Sequence, residues 1–541
     1  MAIPNVTEPP RTPSSAQSVV VDTLDQLVHQ FADPLACLRE LIQNAIDAGS
    51  LQVDITLSWH DEVATLQVAD SGCGMTRAII ETRLTRLFAS DKFGDHTKIG
   101  RFGVGFVSVF ALAPDAVCVD TGREGASWRL LFARDRSYEL RALPQPVEGT
   151  TVRILKTLPA AGFDALRRDA IAAVRRWCRH VQCEIRVDGT LVNEPFDLPE
   201  APLRCRVEHP LGVFVLGHRA DGRGFHGLYN AGLTLLEGDG DWLPGLAIKV
   251  SSPRLEHTLT RDTVIVDRAY ESMRAVAERL AREHLAAVAI ARLAELAVPA
   301  DGDASTAALD YACDAVSWHL RRHGAALPRS AARRPCVPTP AGRLLSLRQL
   351  RARQPGRTLL LARGRSPLTD ALEQAGRTVV WIRSDRHEAL VRAAAREDVA
   401  VVWVHECWCL PGPRRAPTPA QAQLFAHTLA LLRGWGARVR SVELGDVEDP
   451  ESGLADAVAV VRHPDHRPVP LAEARVLGTS WLRRRVTLAI QGRHALVEEL
   501  AALAQVRPGL AAHLLVKAFW LGAQLDPRRD GELARAAMEL R

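Results

Sequence analysis

Lysine is nearly absent. Five residues (Lys92, Lys98, Lys156, Lys249 and Lys517) stand against 68 basic residues in all, so the positive charge of this chain is carried by arginine. The arginines are spread along the sequence rather than gathered into a tail, and a formal net charge of +5 on 541 residues is too small to argue for a nucleic-acid partner, so none is expected. No uncharged apolar stretch approaches the roughly 18 residues that a membrane helix needs, so no membrane partner is expected. The segment 1–17 is rich in Pro, Ser and Thr, and it lacks the basic start and apolar centre of a secretory leader. None of the ten cysteines has metal-finger spacing, and Cys407-Trp408-Cys409, the only close pair, reads as an apolar strand end. Cys37 and Cys73 fall in motifs expected to be buried, and a reduced, cytoplasmic protein follows.

What is present is an ordinary globular composition in a chain too long for one core. With 47% hydrophobic and 24% charged residues most of the chain should fold, and its length implies two to four domains.

Asp33-Pro34 offers an N-cap and a first helical residue. Behind it Leu38, Leu41, Ile42, Ala45 and Ile46 form an apolar stripe, while Glu40, Asn44 and Asp47 fall within roughly 60° of one another on a 3.6-residue period. Gly49 ends that helix. Leu51 to Trp59 and Val63 to Ala69 alternate as a hairpin about an Asp61-Glu62 turn and deliver Asp70 to a strand exit. Thr76 to Ala89 reads as a helix, Ser90 to Lys98 as a polar lid, and Val104 to Leu112 as a buried helix. Strands at 126–133 and 151–155 and an amphipathic helix at 164–180 complete a first domain. Short strands (213–216, 227–236, 246–250) then precede a long helix, 268–296. A strand-helix-strand unit occupies 358–382, and helical patterns dominate from Ala420.

Three motifs carry the chemistry: Glu40, Asn44 and Asp47 on one helical face; Asp70-Ser71-Gly72-Cys73-Gly74-Met75; and Ile99-Gly100-Arg101-Phe102-Gly103-Val104-Gly105-Phe106. Singly each has an ordinary reading: a solvated helix carboxylate, a turn-forming Asp, a tight glycine turn. Their order is that of a nucleotide site. A carboxylate at a strand end can accept a hydrogen bond from an exocyclic amine, an arrangement costly to leave unpaired. An asparagine oxygen suits Mg²⁺ that is otherwise held by phosphates and water. A glutamate one turn away can orient or deprotonate a water, and glycines let backbone N–H groups approach phosphate at a helix start.

Residues 1–155 resemble the ATPase domain of the heat-shock protein 90 family and its bacterial form HtpG, in which Leu38-Arg39-Glu40-Leu41-Ile42-Gln43-Asn44-Ala45-Ile46-Asp47-Ala48 and both glycine motifs recur. The resemblance implies Glu40 as catalytic base, Asn44 as Mg²⁺ ligand and Asp70 as adenine anchor, with Thr150 supporting the pocket through water. It adds Asp47, Gly74, Met75, Gly100, Gly103, Val104, Gly105 and Phe106 to the ATP contacts. The match continues through Val250 to Asp262, which resembles the middle-domain loop whose arginine reaches the γ-phosphate. Arg261 takes that role, against its plainer reading as a surface residue capping a helix. Residues 357–385 resemble the second part of the middle domain, and Ile490 to Val497 with the helical patterns after it resemble the HtpG dimerisation region.

The fold so implied is α+β: a two-layer α/β sandwich ATPase domain of Bergerat type (18–195, after a disordered start at 1–17), an α/β middle domain (196–410, divided into 196–300 and 301–410), and a mainly helical C-terminal dimerisation domain (418–541). The implied function is an ATP-dependent, homodimeric chaperone that closes on client proteins, with ATP and Mg²⁺ as cofactors. The alternatives are a superfamily ATPase of DNA repair or defence, MutL- or sacsin-like, and a non-hydrolysing ATP-gated scaffold. The chain departs from the family in Thr82-Arg83, where the lid helix carries an Asn, in its short lid, in Ile265, and in a shorter C-terminal region.

Overall fold

The computed structural model describes residues 33–85, 104–240, 242–256, 264–297, 304–324, 327–352, 357–447, 449, 451–476, 485–519 and 527–539. The chain divides into two compact units, Met1–Ala281 and Arg282–Arg541.

In the first unit, helix α1 (Ala36–Asp47) starts two residues later than Asp33-Pro34 suggests. Asp33 still closes the entry, because its Oδ1 accepts the Leu35 N–H at 2.9 Å. Strands β1 (Gln52–His60) and β2 (Val63–Asp70) form the expected hairpin, and its two turn residues, Asp61 and Glu62, both take positive φ (48° and 61°). That is the twist a two-residue hairpin demands. β3 (Ala116–Arg123), β4 (Ala126–Ala133), β5 (Tyr138–Leu143), β6 (Thr150–Thr157), β7 (Glu184–Val187) and β8 (Thr190–Leu191) complete an eight-stranded sheet in the order β5-β4-β3-β6-β2-β1-β7-β8. Only the β1–β7 pairing is parallel.

One face of this sheet carries the helical layer, making the two-layer α/β sandwich. Leu38, Leu41 and Ile42 of α1, Ala170, Ala173 and Val174 of α2 (Ala160–Cys178), and the segment Phe106–Phe110 share a core with Leu66, Val68, Val117, Val119, Val152 and Ile154. The segment expected as one helix from Val104 is α-helical only to Val107. It tightens to a 3₁₀ turn over Ser108–Leu112 and ends at Ala113, which has φ of 49°. The helix expected from Thr76 is seen as Arg77–Ile79 running into a π-turn, Ile80–Leu84.

A second sheet in this unit has the order β12-β11-β13-β10-β9, with β9 at Leu203–His209, β10 at Gly212–His218, β11 at Phe225–Asn230, β12 at Leu233–Asp239 and β13 at Ala247–Ser251. A buried polar network ties it to the end of α2. His180, 8% exposed, donates from Nδ1 to the Glu194 carbonyl (3.1 Å), so its Nε2 accepts from Lys249 (3.1 Å) and Arg179 (3.2 Å). Arg179 reaches Glu237 at 2.6 Å, and the Tyr229 hydroxyl donates to the same carboxylate. Burial, then the Lys249 charge, pushes the His180 imidazole down to about 4. Burial does the same to His218 and His387.

A depressed histidine has a definite sign. Between pH 6.5 and 4 the unfolded chain binds a proton that the folded chain refuses, so stability is complete above that window and is lost as pH falls through it. His180→Gln keeps a donor for Glu194 and an acceptor for Lys249. It should lessen the fall of melting temperature across that window by the share of about one proton. An unchanged slope would mean that His180 is already charged in the folded protein.

In the second unit, a hairpin of β14 (Pro335–Pro338) and β15 (Leu344–Ser346) precedes a parallel sheet of order β17-β16-β18. Here β16 is Thr358–Ala362, β17 is Val379–Trp381 and β18 is Ala400–Trp403, joined through the helices Pro367–Gln374 and Asp385–Ala394. The strand-helix-strand pattern read at 358–382 is therefore extended by one strand. From residue 418 helices predominate, at Pro419–Gly434, Ala495–Ala504, Pro508–Ala518 and Pro527–Glu539. They also flank a three-stranded sheet, 439–444, 486–490 and 459–462 in spatial order, that the helical pattern had hidden. Among the described residues no helix is long and apolar enough to cross a membrane.

Candidate functional site

Alternation along three strands decides where the polar row sits. Leu66 and Val68 face the helical layer, and Asp70 is next in that row. On β6 Val152 and Ile154 lead back to Thr150, and on β3 Val117 and Val119 lead to Thr121. Asp70 pairs with Thr150, and Thr150 with Thr121, so the three polar side chains lie side by side where the apolar rows stop.

Asp70 is half-buried. Its Oδ1 accepts the N–H groups of Gly72 (2.8 Å) and Thr150 (3.3 Å), while its Oδ2 accepts no hydrogen bond among the described residues. Burial raises this carboxyl above the usual range, and the two N–H groups oppose the rise. Thr121 Oγ1 accepts the Met75 N–H (2.9 Å) and lies 3.0 Å from Thr150 Oγ1 and 3.2 Å from the Gly149 carbonyl. Thr121 was not foreseen. Its signal is the alternation of Val117 and Val119, which becomes informative only once β3 is known to pair with β6.

The loop after Asp70 is clamped from both sides. Cys73 donates its N–H to the Ala48 carbonyl at the end of α1 (3.0 Å), and Ser71 donates to Ser50 Oγ (3.0 Å). Gly74 has φ of 61°, and a Cβ there would stand 2.0 Å from the Gly122 carbonyl oxygen. Gly149 has φ of 66°, and a Cβ there would stand 2.0 Å from the Asp70 carbonyl oxygen. Both positions exclude every side chain, for steric as well as torsional reasons.

α1 and the third motif meet at Glu40. This carboxylate is 4% exposed, and a Cβ on Gly105 would come within 2.6 Å of its Oε2, so the Gly105 backbone lies directly against it. Asn44, one turn on, is exposed. Asp47 is exposed too and accepts from Gln43 Nε2 at 3.1 Å. The face thus runs from a buried carboxylate at Glu40 to an open amide at Asn44. Met75 packs against the core. Phe106 is buried with Phe110 and Phe132, its ring centroid 6.4 and 5.7 Å from theirs, so its side chain serves the core. Val104 opens the short helix. Gly100, Gly103, Arg261 and the lid at 90–98 lie outside the described residues. A cavity of about 410 Å³ opens beside Gly72, Gly122 and Gly149, and neither Glu40, Asn44 nor Asp70 lines it.

Residues 34–148 match the family described as histidine kinase-, DNA gyrase B- and HSP90-like ATPase. The chain is also similar to proteins named Chaperone protein HtpG. The one from Methylococcus capsulatus is 29% identical over 221 residues, 34% of each chain. That from Oleidesulfovibrio alaskensis is 32% identical over 188 residues, 31% of this chain and 29% of the relative. That from Serratia proteamaculans is 34% identical over 226 residues, 34% and 36%. The chain spans about a third of the length of the curated relatives it matches.

Proposed function

We propose that this chain, whose residues 34–148 match the histidine kinase-, DNA gyrase B- and HSP90-like ATPase family, is an ATP-dependent chaperone that binds and slowly hydrolyses ATP in the cytoplasm, as a homodimer acting on client protein. The observation that carries the reading is the state of Asp70: one carboxylate oxygen committed to two backbone N–H groups, the other open. A fixed acceptor of that kind selects an exocyclic amine, which adenine carries and guanine lacks at the equivalent position.

The remaining residues are assigned roles by their chemistry. Asn44, being exposed, would present its amide oxygen to Mg²⁺. Bound Mg²⁺ would neutralise phosphate charge as it develops. Glu40, buried against the Gly105 backbone, would take a proton from water next to the glycine motif that runs from Gly100 through Gly103 to Gly105. Thr150 and Thr121 hold the floor beneath the base. Arg261 would place its guanidinium on the terminal phosphate, where it stabilises charge only while docked.

Titrating ATP with Mg²⁺ by calorimetry, and following hydrolysis alongside suppression of aggregation of a heat-denatured client, tests the reading. ATP binding without any hydrolysis would favour a gated scaffold, and hydrolysis without aggregation suppression a dedicated ATPase machine. Removing residues 418–541 is expected to give a monomer that still binds ATP and turns it over slowly. Arg261→Ala is expected to lower turnover of the full-length dimer without changing its mass by light scattering. A truncated protein that stays dimeric, or an Arg261→Ala variant with full turnover, would remove the corresponding half of the proposal.

A further inference from the structure

Between Ala315 and Thr369 the sequence holds twelve arginines and no Asp or Glu. The fold gathers four of them around one cavity of the second unit. Its volume is about 450 Å³, and it is lined by Leu320, Leu327, Ala332 and Leu347 together with Arg329, Arg333, Arg348 and Arg351. Leu320 comes from the last turn of the helix Ala304–His323, Arg329 and Ala332 from the short helix Arg329–Ala332, and Leu347 and Arg348 from a helical turn that Ser346 and Gln349 cap reciprocally.

The lining separates by polarity. Leu320, Leu327 and Leu347 are buried, whereas Arg329, Arg333 and Arg348 are exposed at the rim. Arg351 is half-buried and spends its Nε on the Ala394 carbonyl (3.3 Å). Among the described residues none of the four forms an ion pair. The carboxylates that bracket the acid-free stretch are engaged elsewhere, Asp314 with Arg386 and Asp370 with Arg365. An apolar floor with a few convergent polar groups, in a volume within about 300–1,000 Å³, is the usual form of a small-molecule site. Guanidinium forks without carboxylate partners select planar or tetrahedral oxyanions, which they grip in pairs.

We propose that this cavity binds a small amphipathic anion, an alkyl or acyl body carrying a phosphate or carboxylate head, with the tail on Leu320, Leu327 and Leu347 and the head between Arg333 and Arg348. The site is independent of the nucleotide reading. It lies wholly in the second unit, and its occupant comes from free solution, because about 450 Å³ accommodates one head group with one short tail.

The full-length protein would be titrated by calorimetry with n-decyl phosphate below its micelle threshold, with inorganic phosphate, with decanol, and with vesicles containing phosphatidic acid. Decyl phosphate should bind at least about tenfold more tightly than either inorganic phosphate or decanol, since each supplies only half of the recognition. Arg333→Glu with Arg348→Glu should weaken decyl phosphate by about a hundredfold, at about tenfold for each guanidinium removed. Ala332→Trp fills the cavity and leaves the guanidiniums in place. It should remove the advantage of decyl phosphate over inorganic phosphate, and it carries the test should the double variant fail to fold. Inorganic phosphate binding as tightly as decyl phosphate would reduce the site to surface charge. Binding to vesicles alone would assign it to a membrane surface, and unchanged affinity in both variants would move it elsewhere. Any of the three overturns the proposal.

Discussion

Asp70→Asn is expected to abolish measurable ATP binding. The carboxylate has two oxygens with different duties: Oδ1 accepts from Gly72 and Thr150, and Oδ2 stays open beside Thr150 and Thr121. An amide cannot serve both. With its oxygen on the two N–H groups, the NH₂ faces the adenine amine, donor against donor. Turned round, the NH₂ faces two backbone donors in a half-buried slot. Either orientation leaves a desolvated donor unpaired, at a cost of about 1–3 kcal/mol, in addition to the lost hydrogen bond to a charged acceptor of about 1.5–3 kcal/mol. Together these lower affinity by roughly two to four powers of ten. The overall structure should be preserved, because the volume is unchanged and the β2–β6 ladder from Val63 with Thr157 to Ala69 with Thr151 is independent of the Asp70 side chain. Calorimetry with wild-type protein as reference decides it, and an Asp70→Asn variant with parental affinity would sink the pocket assignment.

The second large effect belongs to Glu40. Glu40→Ala should leave ATP affinity within a few-fold of the parent and lower the rate of the chemical step by about 10² to 10⁴, the range removed with a positioned general base. The separation of the two parameters follows from placement. Glu40 lies against the Gly105 backbone, while the groups proposed to face adenine, Asp70, Thr121 and Thr150, lie side by side on β2, β3 and β6. Glu40→Gln keeps the shape of the buried residue and should show the same loss, which distinguishes missing proton transfer from repacking. Single-turnover measurements with saturating ATP isolate the step. Parental hydrolysis in either variant would place the base elsewhere.

Much of this site could be read in the sequence because its motifs are local. A helical face needs only spacing, and the β1–β2 hairpin with Asp70 at its exit needs only alternation and a turn. What stayed hidden depends on partners distant along the chain. β3 and β5 did not stand out, and Thr121 gains meaning only beside Thr150, 29 residues away. The π-turn at Ile80–Leu84 and the 3₁₀ segment at Ser108–Leu112 share the apolar spacing of an ordinary helix, so periodicity cannot separate them. The strands 439–444, 459–462 and 486–490 are short, and between strongly periodic helices they read as more of the same. Phe106 belongs to a nucleotide-binding motif by its letters and to the core by its ring. The arginine-rich stretch is visible in the sequence, but which four of its arginines share a cavity is decided by the short helices near 330 and 348.

The close approaches at Gly74 and Gly149 bear on how the letters around Asp70 should be interpreted in any substitution experiment. A methyl group at Gly74 would be driven into the Gly122 carbonyl, and one at Gly149 into the carbonyl of Asp70 itself. Alanine at either site would displace the catalytically innocent backbone on which Asp70 and Thr150 are mounted, and nucleotide would be released although every group that touches it was still present. Gly74, the last letter of the Asp-Ser-Gly-Cys-Gly signature, is therefore a record of main chains crossing at less than side-chain distance. A protein could retain that glycine, and the fold with it, long after it had ceased to recognise a nucleotide.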